Sequence, residues 1–362
     1  MQTRFPESQA FAPAKADRLA EKALMLFAAA NLVLFLLFAV SLGTAQRALS
    51  AEMTCRGENL VEKLQQSDPQ KFAEVVAEAG KVENGHSVMW KISRDGLKPS
   101  FLLGTMHSAD PRVTQMQPAA DSAFERADSV LIENTEVLDR TKMTEALLRY
   151  KEMTLLMDGS TLDQKIASDS VPALQASVEA RNMPWEIARH MQPWMVAAAI
   201  AIPVCEVEAK SGGAEVLDSI IGKRALADGK TLIGLESIEE QFKAVSGIPQ
   251  EFHVNALSET LQLSDMTDSM METTKLLYLQ GETGMLLPLV RAFSPKTYSG
   301  KGYAEFQELL VSRRNHTMAA RAAEHLAKGN VFMAVGALHL SGEEGLVNLL
   351  RHQGFKVEAV SG

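Results

Sequence analysis

The chain has 362 residues, with 36 Lys and Arg against 45 Asp and Glu, a formal net charge of −9 and 46% hydrophobic residues. That balance matches a folded globular protein and excludes a disordered tail, a collagen-like chain and a polytopic transporter. The acidic surplus, with no clustered basic run, also argues against a nucleic-acid partner, and the length allows a core that needs no metal or disulfide scaffold merely to fold.

In chain order, residues 1–22 form a polar preface carrying Arg4, Lys15, Arg18 and Lys22. Residues 23–42 (ALMLFAAANLVLFLLFAVSL) follow without a charge and with Asn31 and Ser41 as the polar residues. An apolar run of that length spans roughly 30 Å as a helix, the thickness of a bilayer core. Only Arg47 and Arg56 follow closely, so the excess of positive charge keeps the N-terminus cytoplasmic and exports what comes after about residue 45. Two readings stay open: a retained single-pass anchor in the inner membrane with the domain facing the periplasm, or a signal peptide cleaved near Gly43-Thr44-Ala45, leaving a periplasmic protein. The cysteines, Cys55 and Cys205, have neither CxxC nor metal-ligand spacing. In an exported protein they are able to form a disulfide; two unrelated buried thiols are the alternative.

Residues 46–86 read as a helical spacer, with Asp68-Pro69 opening a second helix. From residue 87 to 362 the texture becomes that of an α/β domain. SVMWKIS alternates as a strand does and forms a hairpin with FLLG. Four apolar, strand-like runs then each end in a residue able to do chemistry: FLLGTMH at His107, SVLIE at Glu133, TLIGLE at Glu236 and VFMAVGALH at His339. Amphipathic helical stretches at 138–157, 172–200, 237–280 and 304–328 lie between or beside them. The expectation is a largely parallel central sheet with crossover helices, with the four polar residues gathered at the carboxyl ends of the strands, where such sheets bind ligands. Met266, Met270, Met271 and Met285 read as core packing, with a substrate groove as the alternative. The final stretch predicts a helix ending near Gly354 and a closing strand.

Two tetrads, Gly104-Thr105-Met106-His107 and Gly336-Ala337-Leu338-His339, share the pattern GxxH. Chance alone accounts for such tetrads at this glycine and histidine content, but not for both ending an apolar strand. A histidine in that place serves as metal ligand, as general base or as a structural residue. Two histidines with a carboxylate supply the donors of a catalytic divalent site, and a second carboxylate supplies a base for the bound water. Glu133 and Glu236 read alternatively as strand-end charges paired with arginine. Arg314, in Arg313-Arg314-Asn315, is placed to hold a substrate carboxylate or to orient a glutamate through a bidentate bond, unless it is a solvated helix charge. The patterns HExxH, GxSxG and the P-loop are absent.

The blocks SVMWKIS…SFLLGTMHSADPRV, SVLIE, LIGLESIEEQ and RRN…VFMAVGALHLSGEEGLVNLLRHQGFKV resemble the TraB/GumN family over about residues 55–360. That family includes the Tiki metalloproteases and is related to ChaN-like and erythromycin-esterase-like proteins. The resemblance implies an α/β domain whose active site falls on Gly104, His107, Gly336 and His339, with Glu133 the best match for the family glutamate. Glu236, Arg314 and Asn315 also fall on family positions. It further implies a peptidase dependent on a divalent ion such as manganese or cobalt, acting on a peptide or small-molecule substrate. A metal-independent esterase-like hydrolase and a non-enzymatic iron, haem or polysaccharide accessory protein are the rival expectations.

Overall fold

The computed structural model describes residues 55–294 and 300–360. The unit described below comprises Met53–Lys210 with Ala214–Gly362. The expected membrane segment, residues 23–42, lies outside the described residues. Among the described residues no helix is long and apolar enough to cross a membrane.

Six strands form one sheet: β1 (Met89–Ser93), β2 (Ser100–Thr105), β3 (Ser129–Ile132), β4 (Thr231–Gly234), β5 (Val331–Gly336) and β6 (Lys356–Ala359), in the order β4-β3-β5-β2-β1-β6. The pairs β4–β3, β3–β5 and β5–β2 are parallel, whereas β1 runs antiparallel to both β2 and β6. The expected α/β architecture is therefore present, with the parallel strands contiguous and the hairpin at one side. β5 is inserted between β2 and β3, so it alone joins the hairpin to the β3–β4 pair.

Both faces of the sheet are covered, which is why the strands read as unbroken apolar runs. Side chains alternate between the faces. Trp90, Leu102, Leu131, Met333 and Val335 pack under Met318 and Ala322 of the helix Arg313–Leu326 and Leu346 and Leu350 of the helix Leu346–His352. On the other face, Leu103, Val130, Phe332 and Ala334 meet Phe124 of the helix Pro118–Arg126 and Leu217 and Ile221 of the helix Leu217–Ala227. Burying side chains of this size is worth roughly 1.5–3 kcal/mol each, so these two layers hold the sheet edge that carries the site.

Local signals set the element ends. Asn59 and Asp68 cap the helices Leu60–Ser67 and Pro69–Ala79, each accepting a backbone N–H in the first turn. Gly354, at φ +85°, lets the chain leave the helix Leu346–His352 and enter β6, as the sequence predicts. The stretch 172–200 departs from a continuous helix. It forms Val171–Glu179, Trp185–Ala188 and Pro193–Ile200, because Asn182 takes a left-handed conformation and Pro184 and Pro193 each open a new segment. Met285 packs with Leu64 and Leu289, while Met266 and Met270 line a cavity of about 230 Å³. Cys55 and Cys205 are joined, with Cα atoms 5.6 Å apart, linking positions 150 residues distant in sequence.

Candidate functional site

The four parallel strands deliver their following residues to one edge of the sheet. Glu133 comes directly after β3, Glu236 two residues after β4, His107 two residues after β2, and His339 at the end of the 3₁₀ turn Ala337–His339 that follows β5. Residues up to 232 positions apart in sequence thus meet because β2 to β5 are neighbours with a common direction.

The glycines of the two tetrads sit where a side chain would be tightly crowded. A Cβ on Gly104 would stand 3.0 Å from Leu340 Cδ2 and 3.1 Å from the Cα of Ala337, so the first tetrad packs directly on the second. A Cβ on Gly336 would stand 3.0 Å from Glu133 Oε1, the oxygen that accepts the Gly336 N–H at 2.6 Å. Gly336 has φ −53°, which any residue can adopt. Both glycines thus serve a close approach, and a left-handed turn is not its cause.

His339 is buried, 6% exposed. Its Nδ1 lies 2.6 Å from Asn315 Oδ1, and Asn315 Nδ2 donates to the carbonyl of Glu344 at 2.7 Å. The carbonyl can only accept, so the amide orientation is determined and His339 Nδ1 must be the donor. The Nε2 lone pair is left free, 3.9 Å from Glu133 Oε1. Burial pushes this imidazole down to about 4, against the partial pull of the Glu133 charge.

His107 has the opposite surroundings. Its side chain is 66% exposed, and Nδ1 lies 3.0 Å from Oδ2 of Asp218, a carboxylate that is itself only 14% exposed. Asp218 Oδ1 accepts from Thr105 Oγ1 at 2.6 Å. The hydrogen bond to Asp218, helped by its charge and opposed by desolvation, raises His107 to about 9. Solvent at so open a ring screens part of that effect, but the direction follows from the contact. Lys210 Nζ donates to the His107 carbonyl at 3.1 Å, while Glu206 accepts from Ser108 Oγ and from the N–H of Ala109. Both belong to the helix Val204–Ser211, whose Cys205 carries the disulfide. Beneath the same loop, fully buried Lys275 donates to Asp110 Oδ2 at 2.9 Å and stands 3.6 Å from Glu272.

Arg314 binds the two glutamates together. Its Nε and Nη2 lie 2.9 and 2.7 Å from Glu236 Oε2, and Nη2 also donates to Glu133 Oε2 at 2.8 Å. Burial, which alone would lift the Glu133 pKa, is outweighed by His339, Arg314 and the Gly336 N–H, and the group is held below its ordinary range. Arg314 and Asn315 are consecutive, yet one reaches the glutamates and the other His339. They follow a π-helical segment, Glu308–Ser312, that sets the phase of their helix.

All six expected side chains therefore gather at this edge: His107, Glu133, Glu236, Arg314, Asn315 and His339. Arg313 stays outside, pairing with Glu308 at the surface. Asp218, Thr105, Glu206 and Lys210 escape the sequence reading; an aspartate in the first turn of a helix looks like an ordinary complement to the helix dipole.

Among the described residues no three His, Cys, Asp or Glu side chains stand close enough together to hold an ion. The donor chemistry nevertheless fits one. Both histidines point Nδ1 at an oxygen acceptor and so turn Nε2 away from it, the arrangement that orients metal-binding imidazoles, and Glu133 adds a carboxylate oxygen beside His339.

The TraB/PrgY/gumN family profile matches residues 88–359, the whole of the sheet domain. The metalloprotease TIKI2 of Danio rerio is 24% identical over 328 residues, covering 75% of this chain and 61% of that protein. The metalloprotease TIKI1 of the same organism is 23% identical over 320 residues, covering 75% and 63%. The chain thus spans a little over three-fifths of the length of these curated relatives. No solved structure matches it. The two tetrads, their glutamates and the sheet that gathers them all lie inside the matched span, and the chain belongs to the TraB/PrgY/gumN family.

Proposed function

We propose that this protein is a metal-dependent hydrolase, acting on peptides as its Tiki relatives' name describes. The observation that carries the reading is the pair of histidines, one after β2 and one after β5, each with Nδ1 bonded to an oxygen acceptor and Nε2 turned away from it, with Glu133 3.9 Å from His339 Nε2. His107 and His339 would hold the ion through Nε2, with Glu133 as third donor or as the base. Manganese or cobalt is the ion that the family resemblance favours. A bound divalent ion lowers the pKa of its water and polarises a scissile carbonyl.

The chain's own groups prepare that chemistry. Glu236 has a 2% exposed side chain and is occupied by Arg314, which supports a role in fixing Arg314 rather than in touching substrate. Arg314 in turn holds Glu133 Oε2 and keeps Glu133 ionised, ready to bind or to take a proton from water. Asn315 holds His339 correctly turned, and burial keeps the ring neutral.

The His107–Asp218 pair also permits a metal-free reading in which His107 is general base to a water attacking an ester. That reading is the weaker, because it gives no role to the His339–Asn315 pair or to Arg314 and its two glutamates. Residues 23–42 would anchor the protein in the inner membrane, with the domain in the periplasm. The Cys55–Cys205 bridge supports export, since such bridges persist in oxidising compartments.

The test is the metal content of the purified full chain after exposure to manganese, cobalt, zinc and iron in turn, beside the H107A/H339A double variant. Near-stoichiometric metal that the double variant lacks, with peptide hydrolysis stopped by chelation and restored by the ion, is the expected result. Hydrolysis that survives complete chelation would transfer the assignment to the metal-free reading, and a protein that takes up no ion would overturn the proposal.

A further inference from the structure

Asp218 lies on the helix Leu217–Ala227, on the face of the sheet opposite Arg314 and Asn315, and reaches the β2 corner from below. Its two oxygens are separately used: Oδ1 accepts from Thr105 Oγ1 at 2.6 Å and Oδ2 from His107 Nδ1 at 3.0 Å. Thr105 is 2% exposed, so its hydroxyl fixes the carboxylate plane from within the core. A carboxylate fixed in this way can accept from one ring nitrogen only. It therefore determines which nitrogen of an otherwise open imidazole faces the cleft. Asn315 does the same for His339 with an amide oxygen, itself oriented by the Glu344 carbonyl.

We propose that Asp218 is the positioning residue of His107: it accepts the hydrogen bond from Nδ1–H, turns Nε2 to the cleft as the atom available to an ion, and stops the exposed ring from turning. The consequence for metal binding rests on the function proposed above; the orientation of the ring does not. Asp218 makes no contact with the substrate edge itself and acts through His107. In Asp218→Asn the side chain keeps its shape, but one of its two positions becomes an NH₂. With the amide oxygen held by Thr105, the NH₂ faces His107 Nδ1, which must then accept, and the proton moves to Nε2.

The experiment uses the full chain in three forms: wild type, D218N and T105V. Cobalt affinity is measured by calorimetry, and the imidazole N–H protons of the metal-free protein by NMR, with H107N identifying the His107 signal. The wild type should show a hydrogen-bonded, downfield His107 Nδ1 proton that D218N lacks. D218N should bind cobalt about ten- to a hundredfold more weakly, the range for loss of an outer acceptor of a ligating histidine. T105V, which leaves the Asp218–His107 bond in place, should lose less. Equal cobalt affinity in wild type and D218N overturns the proposal, as does a T105V loss as large as that of D218N. Should D218N fail to fold, the wild-type spectrum decides: absence of the hydrogen-bonded Nδ1 proton is equally fatal. If the wild type binds no cobalt but shows that proton, the metal reading falls and the positioning role stands.

Discussion

At the β2 corner an open imidazole is bonded to a buried carboxylate; at the β5 corner a buried imidazole is bonded to an amide. The motif GxxH is common to both, yet His107 is pushed up to about 9 and His339 down to about 4. What separates them is the element that each corner faces. His107 meets the first turn of a helix under the sheet, whereas His339 meets a helix above it whose phase is set by a π-helical turn. One corner carries a proton that an incoming cation must displace. The other is a neutral donor already in place.

The largest effects should come from deleting either corner. H107A and H339A should both lose stoichiometric metal and peptide hydrolysis, read by elemental mass spectrometry and turnover. Above about pH 9, where His107 no longer contributes, only H339A should also lose stability, by about 1–3 kcal/mol in chemical denaturation, because it strands Asn315 Oδ1 in the core. Equal stability losses would erase the distinction between a buried and an open corner.

Removing the disulfide with C55S/C205S should distinguish the corners differently. The bridge closes a separation of 150 residues, for which chain entropy predicts at most about 5 kcal/mol. Locally, the helix Val204–Ser211 holds the backbone around His107 through Glu206 and Lys210, whereas the His339 turn is held by Asn315. Hydrogen exchange should therefore quicken at residues 104–110 and stay unchanged at 336–340. Uniform quickening would mean that the bridge supports the whole domain rather than one corner.

A smaller change should convert one corner toward the other. N315D places a carboxylate on His339 Nδ1 and should raise that histidine above about 4 in an NMR titration, while D218N should lower His107 from about 9. N315D also sets an acceptor against the Glu344 carbonyl, at a cost of about 1–3 kcal/mol.

The smallest effect is the pH dependence of stability in the metal-free protein. Between about 4 and 6.5 the unfolded chain binds a proton at His339 that the folded protein refuses, so this residue makes stability rise with pH. Between 6.5 and about 9 the folded protein keeps a proton on His107 that the unfolded chain releases. Its contribution is complete below 6.5 and fades as pH climbs to about 9. Comparing wild type with each alanine variant should show these opposite slopes, and slopes of the same sign would refute the assignment.

Much of this edge was legible in the sequence because strands covered on both faces are written as apolar runs, and the first polar residue after such a run marks the strand end. His107, Glu133, Glu236 and His339 are found by that rule alone. Arg314 and Asn315 are legible as candidates, but their division of labour depends on the π-helical phase of Glu308–Ser312, for which LLVS gives no signal. Asp218 and Glu206 were illegible for a different reason. Their partners are more than 90 positions away, and an acidic residue on a helix is ordinarily solvated. Lys275 likewise gives no sign in MMETTKLLYL that it is wholly buried among carboxylates.

The position of β5 has a consequence in time. It is the fifth strand to be synthesised, yet it occupies the middle of the sheet and is the link between the β1–β2 hairpin and the β3–β4 pair. A growing chain can form either half early, but each half holds one histidine or the glutamates and never the full set. The pairing of β5 with β2 spans more than 200 residues, the kind of distant contact that forms late. The six side chains of the candidate site therefore stand together only once β5 has paired with both β2 and β3, and a chain lacking those pairings brings together no more than part of the set.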